Sequence, residues 1–88
     1  PRERVIEVVG NVAEVCSKEK PRIYESMMEK VAQLAQVLPA LNISKDPKLD
    51  LVGRELKELV VPTERLKRNV IVRQDAARKA DQILALLR

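Results

Sequence analysis

From Thr63 to Arg88 the chain runs without a Gly or a Pro, and this uninterrupted stretch limits the fold more than any other feature. Read as one helix, it would be roughly 36 Å long. On a helical wheel one arc collects Leu66, Val70, Val72, Ala76, Ala77, Ala80, Ile83, Leu84 and Leu87, and the opposite arc Arg65, Lys67, Arg68, Asp75, Arg78, Lys79 and Gln82. A helix with an apolar stripe on one side and charge on its back is built to pack against other helices. Arg73 breaks the pattern. It falls within the apolar arc, between Leu66 and Ala77, where an unpaired charge is costly to bury. Three resolutions are open: Arg73 pairs with a glutamate of a neighbouring helix, with Glu14, Glu29 and Glu55 as candidates; its stem lies on the core while its head reaches water; or it faces a partner.

The residues upstream supply the neighbouring helices. In 2–18, Val5, Val8, Val9, Val12, Val15 and Cys16 share one side, with Gly10 and Asn11 weakening the middle. Pro21 marks the expected start of a second helix, running to Leu38 with Tyr24, Met27, Val31, Leu34 and Leu38 as its seam and Met28 and Ala35 beside it. Pro39 turns Leu38 away from helical geometry, and 40–45 reads as the longest connection, with Leu41 and Ile43 tucked back onto the bundle. A third helix over 46–60 has the clearest start in the chain: Asp46 caps, Pro47 presets the first turn and Asp50 adds negative charge there. Leu49, Val52, Leu56 and Leu59 form its seam, with Val60 alongside, while Leu51 points elsewhere. Pro62 stops it, and Thr63 with Glu64 opens the last helix, 63–87. The β-branched run Val70, Ile71 and Val72 has no partner strands elsewhere, so the helical reading is kept. The expected fold is a single all-α domain over the whole chain, a compact up-and-down bundle of about four helices with a long C-terminal helix.

Composition narrows the function. The 88 residues suffice for one core, with about 60 to 65% of the unfolded surface removed from water. That leaves little room for a deep cleft. Tyr24 is the only aromatic, and there is no histidine. With only Gly10 and Gly53 there is no glycine-rich phosphate cradle. The one cysteine, Cys16, cannot form an internal disulfide and has no histidine or nearby cation on its face to activate it, so it reads as a small buried hydrophobe. No catalytic residue, metal or cofactor is expected. No apolar run is long enough to span a membrane and none resembles a signal peptide, so an intracellular, cytoplasmic protein with no membrane contact is expected. Pro1 at the start is compatible with an excised or processed fragment.

The net charge of +4 is unevenly placed: residues 1–52 hold eight Lys or Arg against eight Asp or Glu, and 53–88 nine against five. A local positive field attracts acidic protein surfaces or phosphates. The expected function is therefore a non-catalytic protein-interaction module, accessory or regulatory, docking on an acidic surface or helix groove through Arg65, Arg68, Arg73, Arg78 and Lys79. The scattered apolar residues Leu51, Ile71 and Leu86 add docking area. Self-association is a further expectation, through an apolar end near Ile83 to Leu87 left bare by shorter neighbours. DNA binding through the cationic face is the alternative. Glu64, Asp75 and Asp81 interrupt that surface, and the chain lacks aromatic stacking platforms. The last turns, from Arg73 and Gln74 through Ile83 to Leu87, resemble the closing helix of chaperone-binding BAG domains over fifteen residues. Nothing upstream extends the resemblance, and it carries no function to this chain.

Overall fold

The computed structural model describes residues 2–41 and 45–88. Among them are five helices and no strand: α1 (Arg2–Ser17), α2 (Glu25–Leu41), α3 (Pro47–Leu59), α4 (Thr63–Arg68) and α5 (Val70–Leu87). The four long helices form a ring in which α1 packs on α5 and α2, and α3 on α2 and α5. Neighbours run in opposite directions. The end of α3 meets α5 between Val72 and its middle, where Lys79 Nζ stands 2.7 Å from Glu58 Oε2. The end of α1 meets the start of α5, where Cys16 and Arg73 line one cleft. The start of α2 meets the end of α3, where Met28 and Val60 line another. The result is the expected all-α bundle, 40 × 21 × 17 Å, with α5 as its long C-terminal helix. No helix among the described residues is long and apolar enough to cross a membrane.

The predicted seams build the core. Val5, Val9, Val12, Val31, Val52, Leu56, Leu66, Ala80 and Ile83 are fully inaccessible. In α1 the six buried positions recur at helical spacing, and Val15 packs against them half-buried. Asp46 caps α3 as expected, its Oδ1 accepting from Lys48 N at 2.9 Å, with Pro47 in the first turn. Leu51 remains exposed, as its place off the seam implies.

Three details differ from the sequence reading. Helix α2 begins at Glu25 rather than at Pro21, because 21–24 leaves α1 as irregular chain. In that segment the core position goes to Ile23, at 7% exposure, and Tyr24 turns outward at 63%. Neighbouring side chains of a non-helical segment point to opposite sides, so only one of the two can face inward. Second, α2 continues through Pro39 to Leu41. The ring stands on the exposed side two residues from the helix end, so the bond it removes from the carbonyl of Ala35 weakens the helix only in its last turn. The connection read at 40–45 thereby shortens, and Asn42, Ile43, Ser44 and the side chain of Leu41 lie outside the described residues.

The third difference is the largest. The stretch read as one helix over 63–87 is two, α4 and α5, parted at Asn69, whose φ of −121° and ψ of 111° are those of extended chain. Neither Gly nor Pro causes the break. The side chain of Asn69 turns back and accepts from Ile71 N at 2.9 Å and Val72 N at 3.3 Å, starting α5 as its cap. The break resets the helical phase. Leu66 is buried on one side of it, while Val70 and Ile71, at 54% and 68% exposure, face water and Val72 is half-buried.

Candidate interaction surface

Arg73 explains how the break is held. From the second turn of α5 its guanidinium reaches back over the bend, and Nη1 donates to Leu66 O at 2.8 Å and Lys67 O at 3.1 Å. These carbonyls belong to the last turn of α4 and would lack partners where the helix stops. A cation placed over the C-terminal carbonyls of a helix is favourable on both hydrogen-bonding and dipole grounds. The charge on the apolar arc is thus consumed within the chain, by backbone oxygens. No ion pair joins Arg73 to Glu14, Glu29 or Glu55 among the described residues.

The other four cations singled out from sequence fall into separate places. Arg78 closes on Asp75 one turn earlier on α5. Lys79 crosses to Glu58 and ties α5 to α3, a half-exposed pair worth about 0.5 kcal/mol or less. Arg68 and Lys67 both stand 3.8 Å from Glu64, a loose arrangement on the outside of α4. Arg65 is exposed and makes no ion pair among the described residues. Arg65 and Lys79 line one recess of about 190 Å³ between α3, α4 and α5, while Arg73 and Arg78 line a cleft of about 560 Å³ between α1 and α5. Arg68 lines neither.

That larger cleft holds Cys16 from the end of α1, with Lys18 and Glu19 just beyond it, opposite Arg73, Gln74, Ala77 and Asp81 from α5. Cys16 is buried, as expected. Burial raises its thiol pKa, and the positive charge of Arg73 partly offsets this. A cation beside Cys16 was not expected, because it arrives from another helix and leaves no trace in the local sequence. Among the described residues no group of three or more His, Cys, Asp or Glu side chains could hold a metal ion.

The apolar end near Ile83 to Leu87 is covered. Ile83, Leu84 and Leu87 are buried and Leu86 is half-buried, because α1 and α5 are of similar length, 16 and 18 residues, and pack along each other. The uncovered apolar surface of the C-terminal helices lies at the opposite end of α5, at Val70 and Ile71, next in sequence to Lys67 and Arg68. Two residues of this region escaped the sequence reading, Val70 as a surface residue and Asn69 as a cap. The available signal was a capping residue immediately before three β-branched residues of low helix propensity. Compared with known protein families, with curated proteins and with solved structures, the chain matches none.

Proposed function

We propose that this chain is a non-catalytic protein-interaction module, accessory or regulatory, that docks on an acidic partner surface through the outer side of α4 and the start of α5. The observation supporting it is the pairing of two exposed β-branched residues, Val70 and Ile71, with cations that are not firmly committed within the chain, Arg65 and Arg68. Apolar area gives affinity and the charges steer encounter. Arg78 and Lys79 contribute less, since Asp75 and Glu58 already hold them. The test compares proteins retained from a lysate by the immobilised domain and by a folded R65E/R68E/I71D variant. A partner held by the first and lost by the second is expected, and equal retention by both sinks the reading.

DNA binding is the alternative for the same cations. It calls for retardation of duplex DNA that disappears steeply with added salt. The internal carboxylate partners of Lys67, Arg68, Arg78 and Lys79 reduce the charge free to meet phosphates, which favours the protein partner.

A further inference from the structure

The break at Asn69 divides a pattern that runs straight through it. Leu66, Val70, Arg73, Ala77, Ala80, Leu84 and Leu87 follow one another at alternating spacings of four and three, the seam of a continuous helix. A straight helix would bond Val70 N to Leu66 O and Ile71 N to Lys67 O. In the bent form two side chains serve most of the groups a straight helix would pair here: Arg73 takes the carbonyls of Leu66 and Lys67 and Asn69 the amides of Ile71 and Val72, while Val70, whose amide would meet Leu66 O, lies at the exposed surface. Bent and straight forms therefore satisfy much the same backbone groups.

One chain alone cannot straighten and keep its core. In the bent form Leu59 and Ala76 line the same recess. In a straight helix Pro62 would lie about 21 Å along the axis from Ala76, while the link 60–62 carries the chain at most about 11 Å from Leu59. Helix α3 would be pulled from its place beside α5. A second copy removes the conflict, since its α1 and α3 can receive the displaced α5 through the same contacts.

We infer that the bend at Asn69 is the hinge of a domain exchange, in which two copies straighten 63–87 and trade their α5 helices. The exchange brings the hinge segments of the two copies side by side and covers Val70 and Ile71. It is the kind of dimer that a closed monomer reaches at low cost once its hinge is released. It stands independently of which partner the monomer binds.

The test uses three full-length proteins refolded from urea at high and low concentration, with mass measured by light scattering after size exclusion. N69A/R73M removes both side chains that hold the bend and the one charge in the seam. Its dimer fraction should rise about tenfold or more over wild type. V70P locks the bend, because proline suits the first turn of α5 and favours extended backbone at Asn69. This variant should stay monomeric at concentrations where the wild type forms dimer. Dimers carrying two different tags should appear when the chains are mixed before refolding and not when folded dimers are mixed. Dimer formation equal in V70P and wild type overturns the inference, as does rapid tag exchange between folded dimers. If N69A/R73M fails to fold, wild type against V70P decides, and a wild type that never dimerises on refolding counts against the hinge.

Discussion

The starts of α3 and α5 use the same device and differ in what makes each one hold. Asp46 and Asn69 each turn a side-chain oxygen onto backbone amides of the first turn. At α3 the cap stands beside Pro47, and both signals are local, so the helix begins where its own residues dictate. At α5 the cap is an Asn inside a run that otherwise reads as continuous helix. It becomes a start only because Leu66 is drawn into the core and Arg73 is free to cover the carbonyls left behind. One boundary is a local preference, whereas the other is a choice made by packing.

The strongest way to break this contrast is Leu66→Ala. Leu66 is fully buried, so truncation should destabilise the fold by about 3 kcal/mol. Amide exchange should quicken in α4 well before α3, and protection lost evenly across both would mean α4 is not tied down by that side chain. Arg73→Met comes next, with a loss of about 1–2 kcal/mol in urea unfolding at low concentration, since two carbonyls lose a charged donor. Arg73→Lys keeps a charged donor with several protons and should recover part of it, limited by whether its single ammonium reaches the position that Nη1 holds between the two oxygens. An Arg73→Met chain as stable as wild type would show that water serves these carbonyls equally well.

The two caps themselves should look alike: Asp46→Ala and Asn69→Ala are each expected to lower stability by about 1 kcal/mol. Their couplings should differ. In double-mutant cycles Asn69 and Arg73 should deviate from additivity by about 0.5 kcal/mol or more, since both hold one bend, whereas Asp46 and Arg73 should add. Equal additivity would erase the distinction between the two starts. The smallest effect sharpens the contrast from the other side. At Gly10 an added Cβ meets no atom within 4 Å, so Gly10→Ala in the middle of α1 should raise stability by about 0.5–1 kcal/mol through local propensity alone. No gain in thermal midpoint would show that packing governs α1 as well.

Much of the candidate surface was legible as residue types and little of it as an arrangement. The charge of Arg65, Arg68, Arg78 and Lys79 and the outward place of Ile71 follow from the wheel. Their grouping follows only in part: the pairs Glu64–Arg68 and Asp75–Arg78 are local to a helix, whereas Glu58 meets Lys79 from another helix and the bend at Asn69 sets α4 apart from α5. Tyr24 was misplaced for a related reason: whether it or Ile23 enters the core depends on how the chain leaves α1.

What the sequence determined by itself is what depends on neighbours a few residues away. This includes the all-helical fold, the seams of α1, α2 and α3, the cap at Asp46 and the end of α3 before Pro62. Helical periodicity and capping are short-range, and a single chain displays them in full. Only the tertiary structure decided the bend at Asn69, the duty of Arg73, the charge beside Cys16 and the burial of the last turns of α5. Each of these weighs a local preference against contacts with residues far along the chain. For 63–87 the local preference was nearly even, so the packing of Leu66 and two carbonyls within reach of one guanidinium were enough to set the outcome.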